Sequence, residues 1–356
     1  FRRALIARLL TNHKRSVLHP TPLIVRMPIK TKLTEALGIE HPLIQGGMHF
    51  VGYAEMAAAV SNGGGLGTIT ALTQPNAEAL RKEIRKCKAL TKKPFAVNLT
   101  LLPVVTAPDY GSFAKVIVEE GVKIVETAGR NPKKFIKFFK ENGCYVIHKC
   151  VAIRHALTAQ RLGADMISMD GFECGGHPGE EDIGNWILLA QAARKLKIPF
   201  VASGGCANGA QLAAALALGA EGMNMGTRFM ATKEAPIRPE IKKALVEGDE
   251  RATTLVMRSV GNTERVYKNS AAEKVREIEA ENPGDFMAFR HLVRGENYRK
   301  SFQETGDTKS SVWSCGQSMA LIDSVPSCKE LIGTIVSDAE TIIARRLQNM
   351  VVKSKL

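Results

Sequence analysis

The chain has 356 residues, of which 45% are hydrophobic, and a formal net charge of +14 at pH 7. This apolar share allows a large core, and the length suits one α/β barrel of about 250 residues with an appendage. Six of the basic residues precede Met27, and no acidic residue occurs before Glu35. Elsewhere the positive charge is spread without blocks, so the composition argues against a nucleic-acid-binding protein.

Residues 1–26 differ in composition from the rest of the chain. They are rich in arginine, lack acidic residues and carry Leu5 and Leu9 at helical spacing, which is typical of a mitochondrial targeting leader. The alternative is that Met27 is the natural start of the protein. We therefore expect a cytoplasmic protein, or a mitochondrial one if the leader is genuine. No apolar run in the sequence reaches the ~18 residues of a membrane-spanning helix, so stable membrane insertion is not expected.

The seven cysteines are scattered along the chain. They show no C-x-x-C or Cys/His spacing of the kind that binds zinc, and their odd number argues against a disulfide framework. The sequence therefore predicts free thiols in a reducing compartment and no metal site.

Short apolar runs alternate with helical segments through most of the chain. Strands buried on both faces read as such continuous apolar runs. The predicted strands are residues 42–45, 67–71, 95–99, 122–127, 145–148, 166–169, 200–202 and 222–225. The helices predicted between them are residues 53–61, 75–90, 113–120, 133–141, 153–162, 183–196 and 210–218. Eight strand–helix units close a barrel, so we predict an α/β protein with a (β/α)8 TIM barrel.

Beyond the eighth predicted strand the alternation stops. Residues 238–297 are charged and helical in pattern, residues 300–314 are polar and loop-like, and a last helix is predicted at 337–347. We therefore expect a smaller helical subdomain near the C-terminus, standing over the C-terminal mouth of the barrel. The predicted organisation is a leader at 1–26, the barrel at 27–235, the helical subdomain at 236–313 and a segment at 314–356 that packs back on the barrel.

Two glycine-containing loops follow the seventh and eighth predicted strands. Gly204 and Gly205 precede a helix that Asn208 should cap, so open backbone N–H groups and the positive helix end can face an anion. Gly226 and Thr227 offer a second cradle with a hydroxyl. Phosphate sites in these barrels form from the loops after strands seven and eight, so the two pairs together predict a bound phosphate group. The alternative is that each glycine only makes a tight turn. A bulky side chain at position 205 is expected to occupy the phosphate position.

Six motifs occur in an order typical of one family. They are QGGMHFVGYAEMAAAVSNGGGLG, NLTLLP, HKCVAIRHA, DGFECGGHPGE, ASGGCANGAQLAAALALGA and NMGTRF. In these motifs the chain, from about Met27 to its C-terminus, resembles the nitronate monooxygenase (2-nitropropane dioxygenase) family of FMN-dependent TIM barrels. HKC followed by GFECGGHPGE is more similar to the NADH:quinone reductase branch of that family than to its true nitronate monooxygenases.

The resemblance implies a bound FMN. The residues that it places at the cofactor are Gln45, Gly46, Gly47, Met48, Asn98, Lys149, Asp170, Gly175, Gly204, Gly205, Asn224, Met225, Gly226 and Thr227. The first four would lie against the isoalloxazine ring and Asn98 would hydrogen-bond it. The glycines that follow strands seven and eight, with Thr227, would hold the phosphate.

Lys149 and His177 are the candidate catalytic residues. Reduction of the flavin leaves negative charge near its N1, which a fixed Lys149 ammonium would stabilise. His177 lies in the segment GGHPG, so its imidazole can approach a ring closely and exchange a proton near pH 7. The alternatives are a strand-end lysine that reaches solvent and a loop histidine bonded to backbone. Cys174 and Cys206 lack a His–acid partner set, which argues against a catalytic thiol, and the role of Glu173 stays open.

We expect an FMN-dependent oxidoreductase in which NADH, or alternatively NADPH, delivers a hydride and a quinone then takes the electrons. One alternative is a nitronate monooxygenase that oxidises alkyl nitronates with O2, and a more distant one is a non-catalytic phosphate-binding barrel. Barrels similar to inosine monophosphate dehydrogenase share the glycine cradle, but they need a mobile catalytic-cysteine loop that we cannot place here. A small-molecule substrate is expected, and the sequence is compatible with a homodimer without deciding the oligomeric state.

Overall fold

The computed structural model describes residues 28–101 and 108–351. The predicted leader and the end of the C-terminal segment lie outside these ranges. The strands are β1 Leu43–Gln45, β2 Gly67–Thr70, β3 Phe95–Leu101, β4 Ile124–Gly129, β5 Tyr145–Cys150, β6 Met166–Asp170, β7 Phe200–Ser203, β8 Met223–Met225, β9 Thr253–Val256 and β10 Glu264–Tyr267.

The helices alternate with the first eight strands and continue beyond them. They are α1 Lys32–Leu37, α2 Ala54–Asn62, α3 Ala77–Leu90, α4 Tyr110–Glu119, α5 Lys133–Glu141, α6 Ile153–Arg161, α7 Asn185–Lys195, α8 Gly209–Ala217, α9 Thr227–Met230, α10 Pro239–Glu247, α11 Ser270–Glu281, α12 Phe286–Phe289, α13 Gly295–Lys300 and α14 Cys328–Thr341. Short 3₁₀ turns occupy Ala71–Thr73, Arg258–Val260, Gln317–Leu321 and Gln348–Met350, and π-helical turns occupy Ser301–Thr305 and Ile342–Leu347.

The first eight strands form one parallel sheet that closes on itself. Strands β2 to β8 pair in sequence order, and β8 pairs with β1. A parallel bridge between Ile44 and Leu66 joins β1 to the residue before β2. The backbone N–H of Leu66 donates to the carbonyl of Leu43 at 2.8 Å. The predicted TIM barrel is therefore confirmed.

The barrel interior has two layers. At the N-terminal end α1 closes the barrel, and its Leu33 and Leu37 pack against apolar side chains from the strands. Those side chains are Ile44, Leu66, Ala96, Ile124, Ile147, Met166 and Val201, which together with Leu33 and Leu37 we call the floor. Nearer the C-terminal end the same strands carry polar residues, which we call the polar layer: Asn98, Glu126, Lys149, Ser168, Asp170 and Asn224. Alternation along a strand explains this, because a residue two positions further on faces the same side.

Helix α8 begins where the sequence predicts it. The Asn208 side chain accepts a hydrogen bond from the backbone N–H of Gln211 at 3.0 Å, and the Gln211 side chain bonds back to the cap. Such a capping box satisfies two otherwise unpaired N–H groups and fixes the first turn. The cap therefore aims the start of α8 at the loop that follows β7.

The region after the barrel is less regular than the sequence predicts. Residues 236–313 contain helices, but β9 and β10 also pair there as an antiparallel hairpin with Val266 opposite Thr254. Val256 and Val266 of this hairpin pack with Val275 of α11 in a small separate core. The last helix, α14, begins at Cys328 rather than 337, because Ser327 and Glu330 form a capping box there.

Helix α14 packs against α8 on the outside of the barrel. The two helices approach closely at Gly209, where an added Cβ would lie 2.5 Å from the carbonyl oxygen of Ile335. Within residues 28–101 and 108–351, no helix combines the length and the apolar character needed to cross a membrane.

Candidate active site

A cavity opens at the C-terminal ends of the barrel strands. Its empty space is about 860 Å3 with the part open to solvent included, which is within the range of small-molecule sites. The predicted site residues that line it are Gly46, Gly47, Met48, Lys149, Asp170, Gly175, Gly204, Gly205, Asn224, Met225, Gly226 and Thr227. The structure thus brings together loops that follow β1, β6, β7 and β8.

The glycines after β7 adopt a conformation that other residues rarely tolerate. Gly204 has a φ of 82° and Gly205 a φ of 72°, both in the left-handed region. A Cβ on Gly204 would lie 2.8 Å from the carbonyl oxygen of Gly171, and one on Gly205 would lie 3.0 Å from the Cβ of Glu173. A side chain at position 205 would first meet Glu173, and whether it would also occupy the phosphate position stays a prediction. The glycines are needed for the backbone conformation that forms the cradle.

Glu173 connects the loop after β6 to the start of α7. Its carboxylate accepts a hydrogen bond from the backbone N–H of Asn185 at 3.0 Å. The Asn185 side chain in turn donates to the carbonyl of Ser203 at 2.7 Å. Glu173 therefore holds two of the cavity loops together.

Glu126 is the centre of the polar layer. It is 1% exposed and accepts hydrogen bonds from the backbone N–H of Gly47 at 3.0 Å, the Asn98 amide at 2.8 Å and the Asn224 amide at 3.0 Å. The Asn224 amide also donates to the hydroxyl of Ser168 at 3.1 Å. A buried carboxylate needs such donors. This network fixes the position of the loop after β1 over the barrel interior.

Lys149 and Asp170 form an ion pair at the base of the cavity. The Lys149 Nζ lies 3.5 Å from Asp170 Oδ2, and Ser168 donates a hydrogen bond to the other carboxylate oxygen at 3.3 Å. Burial alone would lower the pKa of Lys149, but the Asp170 and Glu126 carboxylates outweigh it and raise that pKa above its ordinary value. Lys149 therefore presents a permanent positive charge to the cavity.

Three predicted site residues, all within the described chain, do not line the cavity. Gln45 is fully buried and its side-chain oxygen accepts from the backbone N–H of Thr68 at 2.9 Å. Asn98 lies beneath Gly47, where an added Cβ would meet its side chain at 2.3 Å. The Nδ1 of His177 lies 3.1 Å from the carbonyl oxygen of Thr263. His177 thus has the backbone contact that the sequence leaves as the alternative to a catalytic role.

Comparison with known proteins identifies the family. The sequence model described as nitronate monooxygenase matches residues 30–338. The chain belongs to the nitronate monooxygenase family. The resemblance seen in the sequence is thereby confirmed, and the protein is an oxidoreductase.

Relatives within and around the family carry different names. The chain is 33% identical to a (3aS,4S,5R,7aS)-5-hydroxy-7a-methyl-1-oxo-octahydro-1H-indene-4-carboxyl-CoA dehydrogenase of Mycobacterium tuberculosis, over 88% of this chain and 97% of that protein. It is 30% identical to a probable nitronate monooxygenase of Staphylococcus saprophyticus, over 90% of this chain and 100% of that protein. The solved structure of FabK from Thermotoga maritima is 36% identical with a TM-score of 0.84 and covers 91% of this chain and 100% of its own.

Sequence reasoning missed two groups of residues at this family site. Glu126 is an acidic residue in an otherwise apolar strand, and that signal could have identified it. His49, Tyr298 and Phe302 also line the cavity. His49 directly follows the predicted site residue Met48, a signal that could have identified it, whereas nothing in the pattern of residues 295–305 indicates that Tyr298 and Phe302 reach the barrel.

The cysteines at the cavity are poor nucleophiles. Burial raises the pKa of Cys206 to about 12 and raises the pKa of Cys174 further above its ordinary value. Both side chains are therefore thiols near pH 7, and a thiol is much less nucleophilic than a thiolate.

Proposed function

We propose that the protein is an FMN-dependent NAD(P)H:quinone reductase, with NADH as the preferred electron donor and a quinone as the acceptor. The observation that carries the proposal is the permanently charged Lys149 at a cavity that is lined in part by glycine backbone. A cation beside a redox cofactor stabilises the negative charge that reduction creates, and this favours acceptance of a hydride.

The residues present fit FMN. Backbone N–H groups at Gly204, Gly205 and Gly226 and the capped start of α8 suit its phosphate. Gly46 and Gly47 let the loop after β1 lie directly on the polar layer, since an added Cβ would lie 2.5 Å from Asn224 Oδ1 or 2.3 Å from Asn98 Cγ. When bound, FMN supplies the two-electron chemistry that amino-acid side chains lack.

Each polar residue then has a defined task. Lys149 would hold its positive charge at the cofactor, and Asp170 would fix the position of that ammonium. Glu126 would keep the Gly47 backbone in place through the 3.0 Å hydrogen bond. We assign His177 a positioning role rather than proton transfer, because its ring is bonded to the Thr263 carbonyl and does not line the cavity.

A second candidate reaction is the oxidation of a carboxyl-CoA thioester, which would then be the electron donor in place of NADH. It is favoured by the names of two relatives, the dehydrogenase of Mycobacterium tuberculosis and that of Rhodococcus jostii, which are 33% and 32% identical to this chain. Oxidation of an alkyl nitronate with O2 is a third, since other relatives are named nitronate monooxygenase. All three reactions use the same cofactor site and differ in the electron donor or acceptor.

Anaerobic titration of the FMN-loaded protein with NADH tests the proposal. We expect NADH to bleach the flavin absorbance and a benzoquinone to restore it. Bleaching by a carboxyl-CoA thioester, but not by NADH, would favour the second candidate. If only a nitronate reduces the flavin, then the protein is a nitronate monooxygenase. A preparation that does not take up FMN would contradict all three and favour a non-catalytic barrel.

A further inference from the structure

The segment that follows α14, residues 342–351, is amphipathic and exposed. Four large apolar side chains of this segment are open to solvent: Ile343, Leu347, Met350 and Val351. Their spacing of four and seven residues places them on one side of a helix. The backbone is helical at Ile342, with φ −64° and ψ −47°, and at Gln348, with φ −60° and ψ −40°. The segment therefore continues in the direction of α14.

Helix α14 carries this segment to the cavity end of the barrel. Near the start of α14, Lys329 lies beside the end of α2, where a Cβ added to Gly63 would lie 3.3 Å from Lys329 Cα. Near its end, Ala339 lies beside the start of α8, where a Cβ added to Gly209 would lie 2.8 Å from the Ala339 nitrogen. Helix α2 ends before β2 begins, and α8 starts after β7 ends. The segment 342–351 therefore lies outside the barrel wall at the level of the cavity mouth.

The charged side chains of the segment are all basic. Arg345 and Arg346 are exposed, and within the described chain neither guanidinium belongs to an ion pair. No acidic residue follows Glu340 in the sequence, whereas Lys353 and Lys355 do. A basic helix with an apolar face is typical of segments that lie on an anionic membrane surface.

Trp186 is a second exposed apolar group at the cavity end. It follows Asn185, the first residue of α7, whose side chain donates to the carbonyl of Ser203 at the end of β7. Trp186 is 71% exposed. Tryptophan is enriched where membrane and water meet, because its ring is apolar and its N–H is polar. Two separate elements at the mouth thus present side chains that suit a lipid surface.

The positive charge favours a lipid surface over two other occupants. Residues 1–26 carry six basic and no acidic residues, so they do not complement a basic segment. In a symmetric dimer the same surface meets itself, and Arg345 and Arg346 would then face like charges. An anionic lipid surface instead offers both negative charge and an apolar interior.

We propose that residues 342–351 and Trp186 bind the protein reversibly to an anionic lipid surface, with the cavity mouth toward that surface. Arg345 and Arg346 would contact lipid phosphates, and the apolar side chains would enter the boundary between headgroups and acyl chains. This is adsorption of exposed side chains, which needs no spanning helix. If the acceptor is a quinone, a consequence that rests on the proposed function, a lipophilic quinone would reach the cavity directly from the bilayer.

Flotation of the full chain with lipid vesicles tests the proposal. We expect binding to phosphatidylcholine vesicles that contain about one third phosphatidylglycerol, weaker binding as salt is added, and little binding to phosphatidylcholine alone. Removal of two charges in Arg345→Gln with Arg346→Gln should lower the affinity about thirtyfold. Removal of apolar area in Ile343→Ser with Leu347→Ser should lower it about tenfold or more.

The matched control lies at the opposite end of the barrel. Leu90 is exposed at the end of α3, and the exposed Lys92 and Lys93 follow it. The triple variant Leu90→Ser, Lys92→Gln and Lys93→Gln therefore removes a comparable apolar and basic group far from the mouth. It should bind vesicles as the wild type does.

Fluorescence reports the orientation of the bound protein. The chain has two tryptophans, and Trp313 is fully buried. Vesicle binding should shift the emission to shorter wavelength, because Trp186 leaves water, and Trp186→Phe should abolish this shift while much of the vesicle binding persists. Vesicle binding by the wild type without any shift would overturn the orientation.

Equal vesicle binding by wild type and Arg345→Gln with Arg346→Gln would overturn the proposal and assign the binding to residues 1–26. Absence of vesicle binding, with a dimer that Ile343→Ser and Leu347→Ser convert to a monomer, would also overturn it and make the segment a subunit interface. The proposed function is tested separately, since reduction by NADH and reoxidation by a water-soluble benzoquinone need no vesicles. Vesicle binding without reduction by NADH would leave the lipid surface assigned and overturn the function.

Discussion

The floor and the polar layer of the barrel are built from the same strands and have opposite physical character. In β4, Ile124 belongs to the floor and Glu126 to the polar layer. In β5, Ile147 belongs to the floor, whereas Lys149 faces the cavity. A step of two residues, the period of a strand, thus converts packed core into a charged site.

The two layers keep their stability in different ways. The floor is a close-packed apolar cluster, whose stability comes from area removed from water. The polar layer instead holds buried charges, which are tolerated only because each has partners: Glu126 has three N–H donors and Lys149 has Asp170. Substitutions in the floor should therefore lower the free energy of unfolding, and substitutions in the polar layer should lower the rate of flavin reduction.

The largest expected effect is in the polar layer. Lys149→Met removes the cation beside Asp170 and leaves two carboxylates near the cofactor without it. We expect the limiting rate of flavin reduction by NADH to fall roughly 100- to 1000-fold, the cost of losing one preorganised electrostatic contact. Stopped-flow absorbance under anaerobic conditions measures this rate.

Lys140→Met is the matched control for that variant. Lys140 forms an exposed ion pair with Asp165 at 2.6 Å, so its loss should leave the reduction rate unchanged. A Lys149→Met protein that keeps its FMN and is reduced within about twofold of wild type would remove Lys149 from the mechanism.

The next effect is in the floor. Leu33→Ala opens a cavity beneath the strands, because Leu33 is fully buried against them. We expect the free energy of unfolding to fall by about 3 kcal/mol, with the reduction rate of the folded protein unchanged. Denaturant titration followed by kinetics of the native fraction measures both quantities.

Leu90→Ala provides the comparison for the floor, since Leu90 is 46% exposed at the end of α3 and should cost much less. A Leu33→Ala protein of normal stability would show that α1 does not contribute to the barrel core. A slower reduction rate at normal stability would show that the floor and the site are coupled.

The barrel was predictable from the sequence because its strands are buried on both faces. Continuous apolar runs located β1 to β8, and the capping signal at Asn208 located the start of α8. The paired glycines after β7 also located one side of the cavity, because two adjacent glycines at a strand end indicate a backbone conformation that other residues rarely adopt. Each of these features is determined by residues that are close together in the sequence, so the sequence alone predicts it.

The rest of the site depends on contacts between distant residues. Asn224 lies 98 residues from Glu126, and Tyr298 lies 249 residues from His49. The hairpin of β9 and β10 was also missed, because each strand has only four residues and charged segments flank it. Contacts between polar residues that are far apart in the chain leave no local pattern in a single sequence.

The smallest effect concerns a third environment in β5, between the floor residue Ile147 and the cavity residue Lys149. His148 faces outward, is 4% exposed and contacts the Thr127 hydroxyl at 2.9 Å. Burial lowers the pKa of His148 to about 4, and a hydrogen bond to the Thr127 backbone only partly opposes this. The folded protein therefore binds fewer protons than the unfolded chain between about pH 6.5 and pH 4.

Stability should consequently be complete above pH 6.5 and decline as the pH falls toward 4, by about 2.5 kcal/mol at pH 4.5 from this residue. His148→Gln should reduce the pH dependence of the denaturation midpoint by that amount, whereas His291→Gln, at an exposed histidine, should not. An identical pH dependence in wild type and His148→Gln would mean that His148 becomes protonated in the folded state near its ordinary pKa. In that case the outer face of β5 would be open to water, and it would not be a third buried environment beside the floor and the polar layer.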